Sequence, residues 1–268
     1  MSKSTINGIG REQETEELVT LGKALDLDLA DVEKSGSEVN FVAIRTKHLL
    51  ISRRLDSRTL FIQDIRYGVD QDDSVFTGSD EVLSKVGRRI FELLEIPVNE
   101  ADRWRVLTER TQTAQVEKGD KIKMGRIVSG AKSLRIDRRA DGIPVWSSHV
   151  TLRLFSRGTI AFLEAHWPEI PLASFNEGRR LNHLVQHGWQ PPAQEGASPE
   201  SIEAGIRHSP AISFLMDVYP TIRVIYEPWN QRYGRKLTLY FDRHGRKIPT
   251  VRHVEQLPQV ESRSRLPK

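Results

Sequence analysis

Histidine is the side chain that titrates nearest neutral pH, so the search for chemistry begins with the eight histidines and the groups spaced to work with them. His149 stands in Trp146-Ser-Ser-His149-Val-Thr151, an alternating stretch that puts Ser147, His149 and Thr151 on one side of a strand. A general-base role would need a carboxylate close in space, and Asp137 and Glu164, with His166 two residues beyond Glu164, are the acid–base candidates. A solvent-facing strand histidine is the plainer reading of the same pattern.

His183 and His187 lie one helical turn apart, a spacing able to chelate zinc. No glutamate follows His183, so the HExxH metalloprotease pattern fails, and an exposed helix face with two unrelated histidines fits equally well. Trp229 and Tyr233 fall in Tyr226-Glu-Pro-Trp229-Asn-Gln-Arg-Tyr233, between two apolar segments, where an aromatic loop can grip a partner. Trp146 reads instead as core, because its strand face is otherwise apolar. Arg138 and Arg139, beside Asp141, are candidates for an anionic group; a solvated turn is the alternative. Gly8-Ile-Gly10 lacks a preceding strand and a third glycine, and there is no phosphate-binding Walker loop, G-x-S-x-G elbow or EF-hand. With no cysteine in 268 residues, thiolate catalysis, disulfides and cysteine-type zinc sites are excluded. Nothing implies a cofactor.

Elements must hold these residues. A helix is predicted over Glu12 to Leu25, with Leu18, Leu21 and Leu25 at helical spacing. Residues 41–52 and 59–63 read as two strands of a hairpin, and 67–80 as a polar loop. A second helix starts at the N-cap Ser79, with Asp80 and Glu81 at its positive end; Val82, Val86, Ile90, Leu93 and Leu94 form its apolar stripe and Pro97 ends it. The period then changes to two. Ile122, Met124, Val128, Leu134 and Ile136 share one face of 121–137, and Val150, Leu152 and Leu154 share one face of 144–155, alternation that belongs to half-wet antiparallel sheets. Ser156-Arg157-Gly158 turns into a further strand. Ser174 to Glu177 reads as a capping box opening a helix that Gly188 closes, and Ser198-Pro199 as the start of another. Segments 221–228 and 236–242 form a final hairpin. The fold class is α+β, with helices packed on one face of antiparallel sheets.

Charge is unevenly distributed. Residues 1–100 carry 13 basic and 19 acidic side chains, 101–160 carry 13 and 6, 161–220 carry 3 and 7, and 221–268 carry 11 and 4. The two basic segments admit nucleic-acid binding, but charge complementarity within one fold accounts for the same pattern.

The segment Arg135-Ile-Asp-Arg-Arg-Ala-Asp-Gly-Ile-Pro-Val-Trp-Ser-Ser148, followed by Gly158, Ile160 and Trp167-Pro168, resembles the PepSY/FTP-like domains of protease propeptides and many bacterial proteins. The likeness covers 79–170, with a looser second copy over 198–255 ending in Phe241-Asp-Arg-His-Gly-Arg-Lys-Ile-Pro249. It implies one helix laid on an antiparallel sheet, in PepSY/cystatin-like units, and a peptide or protein partner met as an inhibitor or folding assistant. Asp141-Gly142 needs glycine's positive φ, and Pro144 enters a strand without owing the ladder an N–H, so this turn is structural wherever it occurs.

The expected division is 1–76, 77–170 and 171–268. The expected function is a non-catalytic peptide- or protein-binding accessory protein. The alternatives are an enzyme using a cavity between helix and sheet, and a nucleic-acid binder. The first residues lack a signal peptide's apolar core and no apolar run approaches the ~20 residues that span a bilayer, so a cytoplasmic protein without membrane contact is expected.

Overall fold

The computed structural model describes residues 5–30, 32, 34–38, 41–54, 59–66, 76–117, 121–194, 197–208, 218–227 and 237–248, with side chains omitted at 5–11, 34–38, 109–131 and 208. It is an α+β protein with three helices and one eleven-stranded sheet among those residues. Chain order is α1 (Thr5–Ala24), β1 (Lys34–Glu38), β2 (Phe41–Arg45), β3 (Leu49–Arg54), β4 (Thr59–Asp64), α2 (Asp80–Leu93), β5 (Ala101–Glu117), β6 (Lys121–Ala140), β7 (Ile143–Leu154), β8 (Ile160–His166), α3 (Leu172–Gln186), β9 (Pro199–His208), β10 (Val218–Tyr226) and β11 (Leu237–Phe241). Each helix is followed by an antiparallel meander. The meanders join edge to edge in the order β1-β2-β3-β4-β8-β7-β9-β10-β11, with β6 and β5 branching from β7. Every pairing is antiparallel except one parallel contact, Val145 with Ile206, where β7 meets β9.

The register explains why one face is dry. Ile44, Ile51, Ile62, Leu163, Leu152, Leu134 and Val106 pair in succession from β2 to β5, so their side chains form one apolar row. The first six are essentially inaccessible, and α1 and α2 pack on this face through Leu18, Leu83, Ile90 and Phe91. Gly87 lets α2 sit close: a Cβ there would stand 2.6 Å from Leu134 Cδ2. Under α3, Leu181 packs with Ala204, Ile222, Val224 and Tyr226. No helix among the described residues is long and apolar enough to cross a membrane.

Several sequence expectations are corrected. Residues 199–208 form strand β9, not a helix: Glu203 and Ala204 pair with Arg223 and Ile222, and the alternation Ile202, Ala204, Ile206 buries one face. The favourable proline start was a weaker signal than this period of two. Helix α3 starts at Leu172 with Pro171 as N-cap, so Ser174 lies inside it and makes no capping box. Segment 41–52 is two strands, because Thr46 Oγ1 accepts from the N–H groups of His48 and Leu49 and turns the chain. On α2 the buried positions are Leu83, Gly87, Ile90 and Phe91; of the expected stripe Ile90 is buried and Val86, Leu93 and Leu94 pack at the edge of the core, while Val82 is 39% exposed. Asp141 and Gly142 do adopt φ of 49° and 76°, the pair of positive values that a tight hairpin demands.

Candidate functional site

The opposite face of the sheet carries the polar residues, because antiparallel pairing keeps partners on the same side. Arg54, Thr59, His166, His149, Asp137 and Arg103 pair in one cross-strand row. Phe61, Glu164, Thr151, Arg135 and Arg105 form the next. The four acid–base candidates from the sequence, His149, Glu164, His166 and Asp137, are thus brought onto two adjacent rows of one face, which carries no helix among the described residues.

Their groups are engaged with one another. His149 Nε2 faces Glu164 Oε2 at 3.6 Å, and His149 Nδ1 lies 3.2 Å from the carbonyl of Ser147. The His149 imidazole beside it holds the Glu164 carboxyl below the ordinary carboxylate range. His166 Nδ1 is 2.6 Å from Thr59 Oγ1. Burial, reinforced by the positive field of His149, pushes the His166 pKa down to about 4, so the ring is neutral at pH 7. Asp137 accepts from Arg105 and, at 2.9 Å, from Arg135 Nε.

Beside this row the sheet is interrupted. Asp137 pairs with His149, but the next residue, Arg138, pairs with Val145, so Trp146, Ser147 and Ser148 are extra residues on β7. The irregularity re-aims Trp146. Its ring packs against Tyr240 at 5.7 Å between centroids, with the Arg223 guanidinium 4.6 Å above it. Arg223 and Tyr240 are register partners on the side of the sheet away from α3. The expectation that Trp146 belongs to the apolar core is therefore overturned; three extra residues break the alternation on which it rested. Gly205 passes beneath, where a Cβ would stand 2.7 Å from both the Pro144 carbonyl oxygen and the Trp146 ring.

The result is a cleft of about 360 Å³ on the helix-free face. Its walls carry Arg103, Arg105, Arg135, Arg139 and Arg223, with Asp102, Asp137 and Glu203 between them. Arg139 donates to Asp102 and Glu203, each at 3.1 Å, and to the Gly142 carbonyl at 2.9 Å, while Arg223 donates to Glu203 at 2.6 Å. Three residues that line the cleft each hold a buried polar atom, Trp146 Nε1, Ser148 Oγ and Arg223 Nε, with no hydrogen-bond partner among the described residues. Buried polar groups are paired in most native proteins, so three orphans in one cleft require an explanation.

The structure separates the two arginines that the sequence put together. Arg139 belongs to the cleft. Arg138 also borders it, but its side chain is only 6% exposed and donates to Glu100 at 2.7 Å and to the Pro168 carbonyl at 2.6 Å, with its guanidinium 5.2 Å from the Trp167 ring centre. Trp229 and Tyr233 lie outside the described residues. His183 and His187 stack on α3 at 3.8 Å between ring centroids, His187 Nδ1 lies 2.8 Å from the His183 carbonyl, and no group of three metal-ligating side chains occurs among the described residues. Sequence reasoning missed Asp102, Arg103, Arg105, Ser148, Glu203 and Arg223. Arg103 and Arg105 repeat at strand period, which was a visible signal; Glu203 and Arg223 join only through the β7–β9 crossing, which nothing local announces.

No known family matches the sequence, and no curated protein does. Among solved structures, an uncharacterized protein from Eubacterium rectale is similar with a TM-score of 0.44 and 12% identity, over 89% of this chain and 82% of that one.

Proposed function

We propose that this chain is a non-catalytic binding protein of PepSY-like build, whose helix-free sheet face receives a peptide or protein partner. The observation that carries the reading is the cleft beside the β7 irregularity, where Trp146, Ser148 and Arg223 each keep a buried polar atom without a partner among the described residues. A ligand that supplies those partners stabilises the complex, since each buried orphan otherwise costs about 1–3 kcal/mol. The PepSY likeness agrees with the local order of α2 followed by the β5–β8 meander over 79–170. Its looser second copy must be moved: the helix preceding the last strands is α3, not 198–207.

The enzyme reading draws on the His149–Glu164 contact at 3.6 Å next to His166. Against it, His166 is held to Thr59 and Asp137 is clamped by two arginines, so both are already committed. The nucleic-acid reading draws on five arginines sharing a face, yet three carboxylates lie among them and leave a surplus of two charges, fewer than a backbone-tracking surface uses.

The test places a photo-reactive residue at Thr151, on the helix-free face, or at Leu184, exposed on α3, in cells that carry the gene. Crosslinks to a defined partner from Thr151 and not from Leu184 are expected. Equal yields at both positions, or none at Thr151, would remove the reading.

A further inference from the structure

We infer that the cleft beside the β7 irregularity is a binding site for a dianionic phosphoryl group carried by the ligand. This rests on the binding reading above and names the chemistry of what enters. Three observations converge.

The first is the kind of orphan. The indole N–H of Trp146 and the Nε–H of Arg223 can only donate, and the Ser148 hydroxyl can donate as well. Their complement is an acceptor with several oxygens. A phosphoryl group offers three strong acceptor oxygens for three donors, whereas a carboxylate would have to take two of them on one oxygen.

Charge is the second. Arg138 is neutralised by Glu100 outside the cleft, leaving five guanidiniums against three carboxylates, a residual of +2. A phosphate monoester carries about −1.5 to −2 at neutral pH and balances it, while a single carboxylate leaves it half met. The carboxylates also hold the arginines in place: Glu203 accepts from both Arg139 and Arg223, so the guanidiniums are oriented before a ligand arrives.

Burial is the third. Ser148 is only 3% exposed and its hydroxyl is one of the three orphan groups, so it is not a surface residue that happens to lie near arginines. The cavity of about 360 Å³ exceeds one phosphate and leaves space for the group that bears it, with the Trp146–Tyr240 pair as one wall.

The test is indole ¹⁵N–¹H NMR on the full chain, whose five tryptophans give five separate signals, with W146F assigning the one that matters. The probes are inorganic phosphate, a phosphoserine peptide, the same peptide with glutamate in place of phosphoserine, and sodium chloride at matched ionic strength. The Trp146 signal is expected to move saturably with phosphate and with the phosphopeptide. S148A is expected to weaken that response about tenfold, the usual effect of losing one hydrogen bond to a charged group. A response to phosphate but not to the phosphopeptide assigns the site to small phosphorylated ligands; tighter binding of the phosphopeptide assigns it to a phosphorylated chain. A Trp146 response to the glutamate peptide equal to that of the phosphopeptide would overturn the phosphoryl inference and leave the binding reading standing. Silence with every probe, a response matched by chloride, or an S148A variant that binds as the parent does would also overturn it. The crosslinking result from Thr151 decides the broader reading separately.

Discussion

Two neighbouring regions of the helix-free face contain the same kinds of side chain and solve their electrostatics differently. In the histidine row, His166 is satisfied by Thr59, His149 by Ser147 and Glu164, and Asp137, which the row shares with the cleft, by Arg105 and Arg135. In the cleft further along β7, Trp146, Ser148 and Arg223 retain buried atoms with no partner among the described residues. The row came to attention in the sequence because histidine and carboxylate suggest catalysis. Of the cleft, Arg138 and Arg139 came to attention as candidates for an anionic group; Trp146 reads as core in the sequence, and Ser148 and Arg223 suggest nothing by type. What distinguishes a ligand site here is unfinished hydrogen bonding, which only the three-dimensional arrangement shows.

The largest expected effect contrasts two arginines. Arg138 is buried and joins Glu100, the Pro168 carbonyl and the Trp167 ring, so Arg138→Met leaves a carboxylate and a carbonyl facing an apolar stem. A loss of about 3 kcal/mol in unfolding free energy is expected, the scale of breaking one side of a buried pair. Arg223→Gln leaves Glu203 with Arg139 and should cost about 1 kcal/mol or less, as half-exposed pairs do. Urea denaturation of both variants checks this. Comparable losses would mean that the cleft is as structural as the Arg138 cluster.

The histidine row predicts a pH dependence of stability. His166 has a folded pKa of about 4 against an ordinary 6.5, so between those values the unfolded chain binds the extra proton and the folded one resists it. The charged neighbours responsible are His149, Arg138 and Arg54, opposed by Glu164. Stability is therefore full above pH 6.5 and falls as pH drops towards 4, by about 3 kcal/mol in all. The depressed Glu164 carboxyl adds a loss in the same direction at lower pH. H166Q should flatten the fall between pH 6.5 and 4 in thermal unfolding. An unchanged slope would mean that another group carries it.

These contrasts also mark what could be read from the residues in order. The period-two stretches of β6 and β7 put Leu134, Ile136, Val150, Leu152 and Leu154 under α2, and the one-sided sheet follows from that alternation alone. The turn at Asp141-Gly142 was equally legible, because few other residues accept those angles. The β9 strand was not. Its opening Ser198-Pro199 imitates a helix start, and its true period is short enough to be overridden by that local cue. Trp146 failed for a deeper reason: strand alternation assumes an unbroken ladder, and the three extra residues on β7 are defined only by what β6 does opposite them. Arg223 and Glu203 are more than fifty residues from the rest of the cleft, so no spacing rule could join them.

The smallest expected effect is the most specific, since it tests the orphan argument without a ligand. Two hydroxyls are buried on the sheet in opposite circumstances: Thr221 Oγ1 donates to the Phe241 carbonyl at 2.8 Å, whereas Ser148 Oγ has no partner among the described residues. Thr221→Val keeps the shape and deletes a satisfied bond, leaving a buried carbonyl short of a donor, and should destabilise by about 1 kcal/mol. Ser148→Ala deletes a group that is desolvated for no return in the unliganded protein, and should stabilise by about 1 kcal/mol. Opposite signs from two buried hydroxyl deletions, read as shifts of the urea midpoint in the same buffer without phosphate, would show that the cleft holds its polar atoms at the expense of stability. If Ser148→Ala instead destabilises as Thr221→Val does, its hydroxyl is already bonded within the fold, and the cleft then differs from the histidine row in composition alone.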